Sequence, residues 1–354
     1  MRRDKREQTK TVLVTGGAGY IGSHTCKALA QAGYLPVTYD NLIHGHRWAV
    51  QWGPLVEGDL ADAELLKQTL QRHGINAVVH FAGYCYVSES MTAPEKYFRN
   101  NTLNTLTLLE CMREADVSTI VFSSTCATYG TPRKVPMSEE TPQEPINPYG
   151  ESKLFVEKML GWWEKAHGLR SMALRYFNAA GADPDGCIGE DHTPETHLIP
   201  LCIQAALGQR ERVELYGVDY PTPDGTAIRD YVHVTDLADA HVCALRRLAD
   251  GAASAALNLG TGKGHSVREV IAAVRHISGR AFAVRETARR AGDPAELVAD
   301  ARRAYDVLQW RPRHSDLTSV VETAWRWHSQ HDAALRSENG HAPVNSANIR
   351  EGKH

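Results

Sequence analysis

Several features are scarce in this sequence, and each scarcity narrows what the chain does. No apolar run approaches the length of a membrane helix, so a membrane partner is not expected. Charge of one sign is also lacking. There are 39 basic against 42 acidic residues and a net charge of −3, whereas a nucleic-acid binder is usually basic. The seven cysteines (Cys26, Cys85, Cys111, Cys126, Cys187, Cys202 and Cys243) are odd in number, and none forms a Cys-x-x-Cys pair. Reduced thiols in a cytoplasmic protein are the plain reading. The first ten residues are charged and lack the apolar core of a signal peptide. No internal repeat and no low-complexity segment is found.

Short β-branched runs alternate with longer amphipathic stretches. Thr11–Thr15, Pro36–Asp40, Asn76–Ala82 and Thr119–Ser123 lack polar alternation, as strands covered on both faces do. Helices are predicted over Tyr20–Gln31, Ala61–His73 and Glu95–Glu114, with further helices at Thr196–Leu207, Thr235–Leu248, Ser266–Ile277 and Ser315–His328. Strands alternating with helices predict a doubly wound parallel α/β sheet with right-handed crossovers. Around Asn178 the pattern turns irregular and rich in Gly, Pro, Asp and His. Long loops in a compact enzyme are usually functional. The chain is therefore divided into a disordered arm over 1–10, a dinucleotide-binding domain over 11–178 and a tail over 336–354. Between these, 179–335 forms a smaller, interleaved substrate domain, some of whose segments return to the first.

Gly16-Gly17-Ala18-Gly19-Tyr20-Ile21-Gly22 joins the first strand to the first helix and satisfies the spacing of a dinucleotide loop. Glycines let the backbone approach a pyrophosphate, and the helix N-terminus presents free N–H groups to it. Asp40 ends the second strand, 18 residues after Gly22, where a carboxylate accepts from ribose hydroxyls and repels a 2′-phosphate. NAD is accordingly favoured over NADP. Asp59 is assigned either to the adenine amino group or to a helix N-cap.

Tyr149 and Lys153 stand four apart on a predicted helix and share one face. A nearby lysine cation lowers a phenol pKa and makes tyrosine a usable base. Upstream, Phe122-Ser123-Ser124-Thr125-Cys126-Ala127-Thr128-Tyr129-Gly130 brings hydroxyls to a strand end, and Thr125 is the candidate partner for a reacting oxygen.

At these residues the chain resembles the extended short-chain dehydrogenase/reductase superfamily, specifically its UDP-glucose/UDP-galactose 4-epimerase family and the related UDP-pentose 4-epimerases. The resemblance runs from about Thr11 to His328. It rests on TGGAGYIGSH (Thr15–His24), Asp40-Asn41, FSSTCATYG (Phe122–Gly130), NPYGESK (Asn147–Lys153), RYFNAAGADPDG (Arg175–Gly186), DGTAIRDYVHVTDLADAH (Asp224–His241) and LNLGTGKG (Leu257–Gly264). It implies a Rossmann domain and an NAD site lined by Gly16, Gly19, Tyr20, Ile21, Gly22, Asp40, Asn41, Asp59, Leu60, Phe81, Ala82, Gly83, Asn100, Lys153 and Phe177. It further implies a UDP-sugar site at Asn178, Leu198, Arg229, Arg290 and Asp293, catalysis by Tyr149, Lys153 and Thr125, and a homodimer. The implied reaction is interconversion of UDP-galactose and UDP-glucose through a transient 4-keto sugar, the hydride being held meanwhile as enzyme-bound NADH. Interconversion of UDP-xylose and UDP-arabinose is the alternative. Two departures stand out: Cys85 replaces a lysine common in the family, and Thr125 replaces a serine.

Cys126-Ala127 stands where a dehydratase needs a carboxylate pair, so elimination of water ranks low. A non-catalytic NAD-sensing protein would have no need of Tyr149 and Lys153, and both are present. His192 and His197, with Asp191 and Glu195, lack the spacing of a known metal motif, and no metal is expected.

Overall fold

The computed structural model describes residues 10–290 and 292–338. The arm and tail read from the sequence lie, apart from Lys10 and residues 336–338, outside the described residues. The first half of the chain runs β1 (Thr11–Thr15), α1 (Tyr20–Gln31), β2 (Leu35–Asp40), β3 (Leu55–Glu57), α2 (Ala63–Arg72), β4 (Ala77–His80), α3 (Val87–Ser90) and α4 (Pro94–Tyr97). It continues through α5 (Asn104–Glu114), β5 (Thr119–Thr125), α6 (Pro148–His167), β6 (Arg170–Tyr176) and β7 (Asn178–Ala180). The second half adds α7 (Leu198–Ala206), β8 (Arg212–Tyr216), β9 (Ile228–His233), α8 (Val234–Ala249), β10 (Ala255–Leu259) and β11 (Gly264–Ser266). It ends with α9 (Val267–Ser278), β12 (Ala283–Thr287), β13 (Glu296–Leu297), α10 (Arg302–Leu308) and α11 (Leu317–Glu338).

Seven strands form one sheet in the order β10-β6-β5-β4-β1-β2-β3, every pair parallel. The direction of winding reverses between β1 and β4, so the loops after these two strands part and leave a crevice at their carboxyl ends. Val12, Val14, Val79 and Val121 face one buried cluster together with Leu237 and Leu245 of α8. Leu13, Val78 and Ile120 face the opposite cluster together with Leu108 and Met112 of α5 and Val156 of α6. Alternate residues of each strand thus feed opposite cores, which is why the strands read as unbroken apolar runs.

The helix predicted over Glu95–Glu114 is present but not uniform. Phe98–Leu103 forms a π-helical turn between α4 and α5. Such turns insert a residue into the helical ladder and often lie at functional sites. Helix α11 runs on to Glu338, past the start predicted for the tail. A second sheet is built on β9, which pairs with β7, β11 and β13, and β8 pairs with β12. Its core gathers Ile199, Cys202 and Ile203 of α7 with Val270 and Val274 of α9 and Val320 and Val321 of α11.

Candidate active site

The glycine turn occupies the crevice between β1 and β4. Gly16 has φ +72°, and a Cβ there would sit 2.7 Å from the backbone nitrogen of Ala82. A Cβ on Gly22 would lie 2.1 Å from the Gly16 carbonyl oxygen, so the first turn of α1 closes on this loop only with glycine. Gly19 is the N-cap of α1 and offers no side-chain cap, and the first turn holds no acidic residue. The leading N–H groups of a helix have no intrahelical acceptor, and nothing of the side chains here competes for them. That is the requirement for a pyrophosphate.

Asp40 ends β2 and accepts hydrogen bonds from the backbone nitrogens of Ala18 (3.0 Å) and Leu42 (2.9 Å). It therefore locks the glycine turn and keeps a carboxylate at the end of β2. Burial pushes its carboxyl pKa up, and the two N–H donors oppose that shift. Asn41 donates to Asp59 at 2.7 Å, and Asp59 accepts from the Ala61 nitrogen at 2.8 Å and from Asn104 at 3.4 Å. The N-cap of α2 is Asp62, which accepts from Leu65, so the cap role weighed for Asp59 falls to a neighbour.

Phe81, Ala82 and Gly83 follow β4, and the Phe81 and Ala82 nitrogens both donate to the Thr15 carbonyl. Gly83 lies beside Asn101 and the Lys153 ammonium. Asn100 donates to Asn101 at 3.0 Å. The Leu60 and Ile21 side chains belong to the two cores, so these residues have only backbone to offer a ligand. The Tyr20 hydroxyl is engaged too, donating to the Gly181 carbonyl at 2.6 Å. Phe177 is buried in a small cluster with Cys126, Tyr129 and Met137, against which Leu297 packs.

Tyr149 and Lys153 lie in the first turns of α6, which begins with Asn147 capping the Gly150 nitrogen at 2.8 Å. The Thr125 side chain, at the end of β5, stands close enough to the Tyr149 phenol to favour its ionisation. Thr125 is itself the cap at the end of β5, accepting from the Ala127 nitrogen at 3.1 Å. Lys153 is buried, donates to the Ser123 carbonyl at 2.9 Å and stands 4.9 Å over the Phe122 ring. Burial lowers its pKa to about 8. The phenol departs from what the sequence predicts. Burial foremost, then the neighbouring Cys85 and Tyr176, hold its pKa well above the usual value, and Thr125 opposes them. In the chain alone, desolvation dominates at the phenol. Cys126, beside Thr125, is 8% exposed and its thiol is pushed up to about 12 by burial, which leaves no thiolate at neutral pH.

The predicted substrate positions are spread over the second sheet. Asn178 stands opposite Tyr231, two residues along β9 from Arg229. Arg229 pairs with Asp293 and donates to the carbonyls of Ile228 (2.7 Å) and Pro294 (2.9 Å). The Arg290 guanidinium lies 3.9 Å over the Tyr216 ring. Tyr216, at the end of β8, gave no signal in the sequence. Leu198 opens α7.

No metal was predicted, yet the loop before α7 collects Glu190, His192, Glu195 and His197 into a cluster whose donor atoms lie within 4.8 Å of one another. Asp191, weighed with the histidines, turns away toward His46 (3.4 Å) and His331 (3.8 Å), and Glu190 takes its place. Burial works against charge on His192, but Glu190 and Glu195 outweigh it and push the ring up to about 10.

Residues 12–260 match the model of the NAD dependent epimerase/dehydratase family. The chain belongs to that family. It is 50% identical over 330 residues to a UDP-glucose 4-epimerase of Lacticaseibacillus casei, covering 93% of this chain and 100% of the relative. Among solved structures it resembles UDP-glucose 4-epimerase from Brucella ovis in complex with NAD (TM-score 0.88, 51% identity, 90% of this chain and 98% of that one). It also resembles UDP-glucose 4-epimerase from Stenotrophomonas maltophila with bound NAD and formylated UDP-arabinopyranose (TM-score 0.89, 40% identity, 92% and 99%).

Proposed function

We infer that the protein is a UDP-glucose 4-epimerase, an isomerase that interconverts UDP-galactose and UDP-glucose with NAD as cofactor. The observation that carries this reading is the placement of Tyr149 beside Thr125 at the carboxyl end of β5, one helical turn from Lys153 and across from the glycine crevice. Relatives about half identical over nearly the whole chain support it.

The residues present fit the cofactor. Gly16, Gly19 and Gly22 leave backbone where side chains would block a pyrophosphate, and Asp40 suits an unphosphorylated ribose. Asn41, Asp59, Phe81, Gly83, Asn100 and Phe177 complete the proposed lining. When bound, NAD supplies a hydride acceptor and a positive charge. Tyr149 takes the proton of the sugar C4 hydroxyl, and Thr125 holds the same oxygen through its own hydroxyl. Lys153, anchored on the Ser123 carbonyl, sets the positive potential that favours the phenolate. Arg229, Arg290, Asp293 and Asn178 would hold the UDP, whose firm binding leaves the sugar free to present either face to the cofactor. Thr125 then stabilises the 4-keto oxygen, and Tyr149 returns the proton.

Purified protein given UDP-galactose without added NAD is expected to form UDP-glucose, read by chromatography. No conversion with NAD supplied would overturn the reading. A higher kcat/KM for UDP-xylose would keep the chemistry and move the substrate to the pentose. We further place a homodimer contact on α6, where Phe155 (43%) and Trp162 (66%) are exposed seven residues apart on one face. A light-scattering mass of two 39.1 kDa chains is expected, and a single-chain mass would remove it.

A further inference from the structure

The loop between β7 and α7 places two imidazoles and two carboxylates around one point. His197 Nδ1 lies 2.7 Å from Glu190 Oε1 and 3.2 Å from Glu195 Oε1. His192 Nδ1 lies 3.2 Å from Glu190 Oε1 and 3.7 Å from Glu195 Oε2. Both glutamate side chains are only 4% exposed. Despite the short approaches, Glu190 Oε1, His192 Nδ1 and His197 Nδ1 are all buried without a hydrogen bond. Native proteins seldom leave three such atoms facing one another unpaired.

We propose that Glu190, His192, Glu195 and His197 form a structural divalent-cation site, zinc being the ion that suits it best.

The donor chemistry fits. Imidazole nitrogen and carboxylate oxygen are ordinary zinc ligands at about 2.0–2.2 Å, and a tetrahedron of that radius has edges of about 3.3–3.6 Å. The four measured separations, from 2.7 to 3.7 Å, bracket that edge. Two carboxylates with two neutral imidazoles carry the charge a divalent ion cancels, so the buried cluster becomes neutral on binding. Outer contacts already orient one ligand: Glu195 Oε1 accepts from the backbone nitrogens of Thr196 (2.6 Å) and His197 (2.8 Å). All four ligands come from one short loop, so closing it around an ion costs little chain entropy.

The place of the site gives it a positioning role. The His192 ring packs edge-on against Tyr20, the first residue of α1, with centroids 6.3 Å apart. Tyr86 donates to the Pro194 carbonyl at 3.4 Å, and Leu198 of α7 directly follows His197. The ion would pin the loop that joins the dinucleotide helix to the substrate side without touching the reacting atoms. The proposal is independent of which sugar the enzyme takes.

The test uses the full chain, free of any histidine tag, stripped with chelator and then dialysed against Zn2+ alone or Co2+ alone. Mass spectrometry of the metal content is expected to give about one equivalent of zinc per chain, as one closed site requires. Cobalt is expected to show the visible bands of a tetrahedral ion, and zinc to raise Tm. Glu190→Gln, which keeps the side-chain shape, and His197→Ala are expected to lose the metal and the bands while retaining the far-ultraviolet circular dichroism. His331→Ala, a neighbouring histidine outside the set, is expected to keep both. Zinc below about one-tenth of an equivalent in the wild-type chain would overturn the site and leave a proton-bridged ion-pair cluster. Equal zinc in Glu190→Gln and wild type would overturn it as well.

Discussion

Tyr149→Phe is expected to lower kcat on UDP-galactose by about 10²–10⁴-fold, the usual worth of a positioned acid–base group. The substitution removes one oxygen and little else. The ring stays packed edge-on to Tyr97, with centroids 6.4 Å apart. Thr125 keeps its hydrogen bond from the Ala127 nitrogen, so the end of β5 keeps its shape. NAD content and KM are therefore expected to change little, and kcat and kcat/KM to fall together, as when an interaction made only in the transition state is lost. Activity within tenfold of the wild type would show that another group moves the C4 proton. Because burial foremost raises the phenol pKa in the chain alone, the pH profile of kcat in the wild type reports how far the assembled site reverses that shift.

Glu157→Ala is expected to be the most damaging single change to stability outside the crevice. Glu157 and Arg175 are paired with side chains 8% and 6% exposed. The Arg175 Nε donates to both carboxylate oxygens, at 2.9 and 3.2 Å, and Nη1 donates to the Tyr129 hydroxyl at 2.9 Å. Tyr129 passes the chain on to Asn258 at 2.6 Å, and Asn258 donates to the Met137 carbonyl at 2.9 Å. Ser124, next to Thr125, also donates to Glu157. One network thus ties α6, β5, β6 and β10 together behind the catalytic pair. Removing the carboxylate leaves a buried guanidinium unpaired, which costs about 3–5 kcal/mol. In a chain of this size that corresponds to a fall in Tm of about 4–7 °C, read by calorimetry. The double variant Glu157→Leu with Arg175→Met is expected to recover part of the loss, since it removes both charges. A single variant with unchanged Tm would show that water reaches the arginine and the pair contributes little.

Much of the site was legible because its geometry is local. A glycine turn between a β-branched strand and a helix, an acid at the next strand end, and a Tyr-Lys pair four apart on a helix face are set by the periods of strand and helix. The fold class follows from the same periods, since alternating buried strands and amphipathic helices have few ways to cover both faces of a sheet. Long-range assignments were harder. Asp59 was weighed as a cap of the next helix, and only the path of the chain gives that cap to Asp62. The strand Ala255–Leu259 has the same apolar pattern whichever neighbour it joins, and pairing with β6 is decided by how α8 folds back on the sheet.

What the sequence determined by itself is the doubly wound fold, the dinucleotide turn with Asp40, and the identity of Tyr149, Lys153 and Thr125 as a constellation. Tertiary structure alone decided the remainder: the burial that raises Tyr149, the Arg175–Glu157 network behind it, the pairing of Arg229 with Asp293, and the choice of Glu190 over Asp191 beside the two histidines. The physical reason is shared. Strand and helix periodicity encode which face a side chain occupies, whereas convergence of polar groups in loops, and the desolvation they undergo there, depend on backbone dihedrals and packing that no periodicity records.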